Sequence, residues 1–245
     1  LGRTSAEGIR SYLATIYSDV IITLLNSVDD LNKLAIRNPD LVFIGMDAVV
    51  TKSVNSSRKD TIVWLTEFLE LHGISHTGSG VRAVKLERSK HTAKEAVIAA
   101  GLGTAKYITL PKNIKLNTSS VSLRYPLFVK PASLGASSGI DNESLVYDAN
   151  GLMQKVAKLQ ARWSDTILIE EYLPGREFSV AVLKDAASGI HTAMPIEIIA
   201  EQNSEGQRIL SLKAKDDNKE VVLDVTDTVL REKLCTLALG AFAAL

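Results

Sequence analysis

The chain has 245 residues, which is enough for two small lobes, and 46% of them are hydrophobic, as in an ordinary globular core. Lysine plus arginine number 28, as do aspartate plus glutamate, so no bulk charge favours nucleic acid or an anionic membrane as a partner. Cys235 is the single cysteine, and there is no apolar run of membrane-spanning length and no signal-peptide pattern, so we expect a cytoplasmic protein without disulfides.

The first part of the chain alternates predicted helices and strands. Three helices are predicted, two of them ended by a glycine: Ala6–Leu25, Asp60–His72 and Ser89–Ala100. Between them we predict a buried strand, a polar loop and a turn-rich stretch: Asp40–Met46, Val49–Lys59 and Ile74–Gly80. This alternation favours a Rossmann-like α/β domain with a parallel sheet over residues 1–105.

From Tyr107 onward the pattern changes to a strand, a loop, a helix and a series of strands. The helix is predicted near Ala149–Ala161, and a final helix at Thr226–Leu245 has Cys235 on its apolar side. Strands are predicted at three segments rich in β-branched and aliphatic residues: Thr166–Tyr172, Glu177–Leu183 and Ile190–Ile199. We therefore predict an α+β domain with an antiparallel sheet over residues 106–245.

A lysine and a small-residue loop lie together in this second part. Lys130 ends an apolar run, and the loop Gly135–Gly139 follows it closely. Glycines permit backbone conformations that bring N–H groups near an anion, and Ser137 and Ser138 add hydroxyl donors. The lysine precedes the glycines, so this is not a P-loop. Taken alone, the segment is explained better as a strand, a turn and a surface lysine.

Two acids end the next apolar run and make a nucleotide-binding interpretation more favourable than a purely structural one. Glu170 and Glu171 close the run, a Pro-Gly turn follows, and Glu177 comes shortly after it. Main-chain groups near Leu173 could pair with a purine edge, and a carboxylate could accept hydrogen bonds from ribose hydroxyls. The alternative is a β-hairpin with solvated acids. The order of lysine, glycine loop and acids favours a nucleotide triphosphate site.

These segments resemble a known family. The pattern PLFVKP (126–131), GASSG (135–139) and ILIEEYLPGREFSVAVL (167–183) is similar to the ATP-grasp fold, and closely to the D-alanine–D-alanine ligases. GRTSAE (2–7), HTGSGV (76–81), Lys90 and AAGL (99–102) extend the resemblance upstream. It implies that residues 106–245 are an ATP-grasp domain, incomplete at its C-terminal end.

The resemblance also implies a reaction and a set of site residues. The reaction is ATP- and Mg²⁺-dependent ligation of a carboxylate to an amine through an acyl phosphate, on small amino-acid substrates, in peptidoglycan synthesis. Glu7 and Ser137 would act in catalysis. The ATP-binding residues would be Lys90, Lys130, Gly135, Ser137, Ser138, Gly139, Glu170, Glu171, Leu173, Glu177 and Lys215.

Several of these residues also fit a purely structural role. Thr4 and Glu7 fit a helix capping box, which is compatible with a place for Glu7 near the amino-acid substrate. Lys90 could be a solvated lysine, although its flanking residues favour a position near the α-phosphate. Lys213 and Lys215 both follow a strand, and the resemblance selects Lys215. The four histidines show no metal-ligand spacing, and we assign no metal ligand in this chain.

Three positions depart from the family pattern. Ala136 stands where a serine is usual, Asp216 where a tyrosine is usual and Asp47 where a histidine is usual. The identity of the amino-acid substrate is therefore left open. Whether the protein forms a homodimer is also left open. We expect the chain to be truncated at both ends, with metal ligands and a phosphate-binding arginine beyond its last helix. The rival hypotheses are an ATP-grasp ligase for another acid and amine, and a non-catalytic ATP-binding homologue.

Overall fold

The computed structural model describes residues 3–51, 61–135, 137–185, 187–203, 206–211 and 220–245. The chain divides into two compact units, Leu1–Lys85 and Leu86–Leu245. Ala136, Lys213, Lys215 and Asp216 lie outside the described residues, as does most of the predicted loop at 49–59.

The first unit contains four helices and a two-stranded sheet in its described part. The helices are α1 Arg3–Leu13, α2 Val28–Arg37, α3 Leu65–Leu71 and α4 Val81–Glu87. The strands β1 Ala48–Thr51 and β2 Thr61–Trp64 pair antiparallel. Leucines of α2 and α3 pack with single residues from β1 and the segment after α3 in one buried core: Leu31, Leu34, Val49, Leu65, Leu69 and Ile74.

Several predictions for this unit are wrong in their boundaries. The helix predicted over Ala6–Leu25 ends at Leu13. The helix predicted from Asp60 begins only at Leu65, because the β-branched residues before it form β2 against β1. Gly73 ends α3 with a φ of 66°, as the sequence predicted.

The described backbone pairing in this unit does not form the predicted parallel sheet. Within residues 3–51 and 61–85, β1 and β2 pair antiparallel, and the parallel pairing is a bridge between Val42 and His76. Val42 donates its N–H to Ser75 and accepts from Thr77. The strand predicted at Asp40–Met46 is thus represented by one bridging residue, and α2 and α4 were not predicted.

The second unit contains three helices and seven strands in its described part. The helices are α5 Lys90–Ala99, α6 Ala149–Arg162 and α7 Thr228–Ala244. The strands are β3 Tyr107–Leu110, β4 Leu127–Pro131, β5 Leu145–Val146, β6 Ile167–Glu171, β7 Glu177–Lys184, β8 His191–Ala200 and β9 Glu220–Asp224. They form two antiparallel sheets, one of order β3-β6-β4-β5 and one of order β7-β8-β9.

Most predicted elements of this unit are confirmed within a few residues. The predicted helices correspond to α5, α6 and α7, and the predicted strands to β6, β7 and β8. The strands β5 and β9 were missed. Cys235 on α7 faces β8, since its thiol lies 3.5 Å from the carbonyl oxygen of Ala193. The helix α5 belongs to this unit, whereas the predicted domain boundary follows it.

The core of the second unit lies between α6 and the four-stranded sheet. Leu152, Val156 and Leu159 recur at helical spacing and form the buried face of α6. Leu127 and Val129 alternate along β4 with less buried residues, so one face of that strand meets the helix. This packing fixes the positions of β4 and β6, which contain or directly precede the candidate site residues. No helix in the described ranges is long and apolar enough to cross a membrane.

Candidate functional site

The ends of β4 and β6 and the start of β7 surround a cavity of about 300 Å³, here called the β4–β6 cavity. Six of the residues predicted from the sequence line it: Lys130, Ser137, Glu170, Glu171, Leu173 and Glu177. They come from β4, from the glycine loop 135–139 and from the segment 170–177, here called the acidic hinge. These three parts are distant along the chain. The fold therefore brings most of the predicted nucleotide site together.

Glu170 is the electrostatic centre of this cavity. Its Oε1 pairs with the ammonium of Lys130, and its Oε2 lies 2.9 Å from the Nζ of Lys94. The Glu170 side chain is only 10% exposed. Burial alone would raise the pKa of Glu170, but the charges and hydrogen bonds of the two lysines outweigh it and lower that pKa. The carboxylate is thus held ionised between two ammonium groups.

Lys94 is part of this network, although sequence analysis did not select it. It lies on α5, and its ammonium also donates to the hydroxyl of Thr104 (2.7 Å) and to the carbonyl of Ala105 (3.2 Å). The ring centroid of Tyr107 lies 5.1 Å from the same ammonium. A lysine within a helix has the same sequence pattern whether it is solvated or paired with an acid, so pattern alone does not select Lys94.

Lys90 contacts the loop that precedes Gly135. Its ammonium donates to the carbonyl of Leu134, and its backbone N–H donates to the carbonyl of Ala132 at 3.0 Å. Burial, and after it the charge of Lys130, lower the pKa of Lys90. Lys90 is therefore held against the backbone segment that precedes Gly135.

Among the described residues of the loop Gly135–Gly139, two have left-handed backbone. Gly139 has a φ of 79°, and Ser137 has a φ of 58°, whereas Gly135 does not have a positive φ. A Cβ on Gly139 would lie 2.7 Å from Cγ of Pro131, so only glycine fits there. A left-handed residue within a tight turn orients neighbouring amides toward one side.

Ser137 and Ser138 take part in the structure of the loop. The hydroxyl of Ser137 donates to the carbonyl of Leu210 at 3.0 Å. The amide of Ser138 donates to Gly135, and that of Ile140 donates to Ser137, both at 3.0 Å. The loop thus consists of two overlapping turns and contacts the segment that contains Leu210, which also lines the β4–β6 cavity.

The acidic hinge continues from the end of β6. The backbone N–H of Glu171 donates to Lys106 at 2.9 Å, and its carboxylate accepts from the N–H of Arg124 at 3.2 Å. Leu173 lies beyond the strand and is 69% exposed. Glu177 is exposed at the start of β7. The side chains of Leu173 and Glu177 are thus exposed where they line the cavity, whereas Glu171 is engaged in internal hydrogen bonds.

Two arginines near the hinge were not predicted. Arg208 lines the β4–β6 cavity and donates to the carbonyl of Ala200. Arg176 forms a two-point ion pair with Glu197, with both distances 2.7 Å. These residues also line a second cavity of about 500 Å³, which shares Leu173 and Glu177 with the first. No motif or spacing in the sequence distinguishes these two arginines from arginines that are simply solvated, so the sequence could not select them.

Two further predicted residues, Glu7 and Lys215, are not among the described residues that line the β4–β6 cavity. Glu7 lies on α1 in the first unit, and its carboxylate is 2.9 Å from Nε of Arg10. Thr4 is inside α1 and not at its N-cap, so the predicted capping box is wrong. Lys215 lies outside the described residues. Within the described ranges, no three histidine, cysteine, aspartate or glutamate side chains form a group that could hold a metal ion.

Comparison with known proteins identifies the family to which this chain belongs. Residues 97–245 match the family model described as the D-ala D-ala ligase C-terminus. The chain belongs to the D-alanine–D-alanine ligase family. The matched residues contain the glycine loop, the hinge and both strands of the Lys130–Glu170 pair, whereas Glu7 and Lys90 lie before them.

Two relatives show the extent of the match to the D-alanine–D-alanine ligase family. The D-alanine–D-alanine ligase of Geobacter sulfurreducens is 36% identical over 128 residues, which are 52% of this chain and 39% of that protein. The ligase of Chlorobium chlorochromatii is 29% identical over 219 residues, covering 85% of this chain and 57% of that protein. The chain thus spans between about two fifths and three fifths of these relatives.

Solved structures show the same fold. The D-alanine–D-alanine ligase of Bacillus anthracis complexed with ATP matches 100% of this chain and 74% of its own, with a TM-score of 0.71 and 19% identity. The VanG D-Ala:D-Ser ligase of Enterococcus faecalis matches 84% of this chain and 56% of its own, with a TM-score of 0.60 and 22% identity. The mixed α/β architecture with antiparallel sheets is therefore that of the D-alanine–D-alanine ligases.

Proposed function

We propose that this chain binds ATP in the β4–β6 cavity and is part of an ATP-dependent ligase of D-alanine–D-alanine type. The observation that carries the proposal is the convergence of Lys130, Ser137, Glu170 and Glu177 on one cavity within the segment that matches the family. The proposal includes a Rossmann-like N-terminal domain at residues 1–105 and an ATP-grasp domain at residues 106–245. It places the protein in the cytoplasm, in peptidoglycan synthesis.

The phosphate end of ATP would lie at the glycine loop. Lys130 is a point charge at the cavity wall, and the left-handed conformations of Ser137 and Gly139 are of the kind that form anion-binding concavities. Lys90 would reach the α-phosphate side, since it already contacts the backbone before the loop. Lys215 is a further expected phosphate ligand.

The base and ribose would lie at the hinge. Because the N–H of Glu171 is used by Lys106, its carbonyl oxygen is the group we expect to face adenine. The N–H of Leu173 lies beyond the strand end and would serve as the matching donor. Glu170 would contact the base through its carboxylate, and Glu177 would accept from the ribose hydroxyls.

The chemistry would be ligation through an acyl phosphate. The carboxylate of one amino acid would attack the γ-phosphorus and take the phosphoryl group, with ADP as the leaving group. The amine of a second amino acid would then attack the acyl carbon and release phosphate. The residues of this chain would position the reactants, neutralise charge and exclude water through the loop, with Ser137 at the transferring group.

Magnesium has no assigned ligand here. Phosphoryl transfer from ATP uses metal ions that bridge the phosphates, and these ions prefer carboxylate and other oxygen ligands. The described ranges contain no cluster of three such side chains. We therefore assign no step to a metal-binding residue of this chain.

Membership of the family indicates the class of substrate, small amino acids, but not which two amino acids are joined. Glu7 is proposed to lie near the first amino acid, and small amino acids are the expected substrates. Ala136, Asp47 and Asp216 depart from the family pattern, and the similar VanG structure is named a D-Ala:D-Ser ligase. These observations favour, as a second candidate, an ATP-grasp ligase that joins a different acid and amine.

Two measurements on the full-length protein test the proposal. Titration calorimetry with Mg-ATP or Mg-ADP should show saturable binding, and phosphate release should rise when D-alanine is added. A panel of other amino acids in the same assay separates the two candidates by which pair gives the highest turnover. A folded protein that binds no adenine nucleotide would overturn the proposal, and nucleotide binding without turnover on any pair would favour the non-catalytic homologue.

A further inference from the structure

Lys155 is a buried lysine beneath the glycine loop. It lies on the sheet-facing side of α6 among Leu152, Val156 and Leu159, and its side chain is only 1% exposed. Its ammonium donates to the backbone carbonyl of Gly139 at 3.1 Å and pairs with Oδ1 of Asp141 at 2.7 Å. A buried ammonium is costly unless its charge is compensated and all its donors are used.

The contact with Gly139 fixes one end of the loop. Gly139 packs so tightly on the ring of Pro131 that a Cβ would lie 2.7 Å from Cγ, and Leu159 of α6 would be 3.3 Å away. Pro131 directly follows Lys130 on β4. Lys155 therefore holds the C-terminal end of the loop against the strand that positions the phosphate-binding lysine.

The other end of the loop is fixed by a separate set of contacts. The N–H and the hydroxyl of Ser133 both donate to the carboxylate of Asp165, at 2.9 Å each. A Cβ on Gly135 would meet no atom within 4 Å, so the loop is open there. Both ends are thus anchored while the turn between them has room to adjust to a ligand.

We propose that Lys155 is a positioning residue for nucleotide phosphates and acts through the loop. By holding the carbonyl of Gly139, it sets the orientation of the peptide groups from Ser137 to Gly139 toward the β4–β6 cavity. The residues that line that cavity include Ser137 and Ile140 but not Lys155 itself, so any effect on the ligand is indirect. This inference rests on the proposed function of the cavity as an ATP site.

The test compares two lysines of the same helix. Lys155→Met removes the cation but keeps an unbranched side chain of similar length in the core, and it leaves Asp141, which is 46% exposed, in contact with water. Lys158→Met is the matched control: Lys158 is 56% exposed and pairs mainly with Glu143 at 2.7 Å, and it reaches Oδ2 of Asp141 only at 4.0 Å, so its removal leaves the contact of Lys155 with Oδ1 in place. Titration calorimetry with Mg-ADP and thermal unfolding are measured for both variants and for the unchanged protein.

The expected result separates positioning from simple stability. Lys155→Met should weaken Mg-ADP binding about tenfold, the scale of one charge-assisted hydrogen bond, with little loss of thermal stability. In the apo protein, hydrogen exchange should become faster at the amides of Ser138 and Ile140, which close the loop turns, and stay unchanged in β4 and β6. Lys158→Met should behave like the unchanged protein in every measurement.

Several outcomes would overturn the inference. Normal Mg-ADP affinity and normal loop exchange in Lys155→Met would reduce Lys155 to a structural residue while leaving the proposed function intact. If that variant does not fold, Asp141→Asn removes the negative charge beside Lys155 from the half-exposed side, and it must weaken Mg-ADP binding more than Lys158→Met does. Absence of binding by the unchanged protein would instead overturn the proposed function, and this inference with it.

Discussion

Lys130 and Glu170 form an ion pair on diagonal positions of adjacent strands, since Lys130 lies opposite Leu168 and Glu170 lies opposite Phe128. The pair couples the phosphate end of the proposed ATP site to its base end. A nucleotide phosphate would compete with Glu170 for the ammonium of Lys130. Lys94 holds the other carboxylate oxygen, so Glu170 would keep a partner when Lys130 turns toward phosphate.

Replacing Lys130 by alanine should weaken nucleotide binding by at least ~1.5 kcal/mol, the scale of a charge-assisted hydrogen bond. The measurement is titration calorimetry with Mg-ATP. Lys94→Ala is the matched control: it also removes one partner of Glu170, but Lys94 is not among the residues that line the cavity. Unchanged affinity in Lys130→Ala, or an equal loss in both variants, would contradict a direct phosphate contact by Lys130.

Replacing Glu170 by glutamine should destabilise the fold by about 3 kcal/mol, because it leaves two half-buried ammonium groups without their anion. Urea unfolding at neutral pH measures this difference. Glu177→Gln makes the same chemical change at an exposed position of β7 and should leave the free energy of unfolding unchanged. Equal stability of the two variants would show that the lysines find other partners.

The same variant gives a pH dependence with a definite sign. The folded pKa of Glu170 is lowered from its ordinary value of 4.5, so its stabilising contribution is present above that value. It is lost as the pH falls through the lowered folded pKa, where the carboxylate becomes protonated. The stability difference between the unchanged protein and Glu170→Gln should therefore shrink in strong acid. A difference that grows on acidification would contradict the lowered pKa.

The sequence predicted the second unit better than the first for physical reasons. Its strands alternate or are continuously apolar, and α6 presents leucine and valine at helical spacing, so local pattern and tertiary packing agree there. In the first unit the segment Thr61–Trp64 satisfies a helical pattern, but its β-branched residues pair with β1 instead. Local periodicity could not show which partner would be available.

The candidate site shows the same limit at the level of single residues. The order of Lys130, the glycine loop and the acidic hinge selected six residues that line the β4–β6 cavity, and the role of that cavity stays a prediction. Lys94 and Lys155 were missed because a lysine within a helix has the same sequence signal whether it is solvated or buried against an acid. Only the tertiary contacts, of Lys94 with Glu170 and of Lys155 with Asp141, distinguish the two cases.

The two glycines of the loop should respond differently to alanine. Gly139→Ala places a Cβ 2.7 Å from Cγ of Pro131 at a φ of 79°, so we expect a loss of about 2–4 kcal/mol in the free energy of unfolding. Gly135 has open space and no left-handed φ, so Gly135→Ala should be neutral or stabilise by up to ~1 kcal/mol. Urea unfolding of both variants checks this, and equal losses would contradict the assigned loop conformation.

Nucleotide binding should be linked to proton uptake by Lys90. Burial, and after it the charge of Lys130, lower the pKa of Lys90 below the ordinary lysine value of 10.5. A bound phosphate favours the charged ammonium and would raise this pKa again, so affinity should fall as the pH rises through the lowered value. Calorimetry in two buffers of different ionisation enthalpy measures the protons taken up. Lys90→Arg keeps its charge over this range and should bind without the uptake, since a guanidinium does not deprotonate there. Equal uptake in Lys90→Arg would assign the linkage to another group, and absence of uptake in the unchanged protein would place Lys90 away from the phosphates.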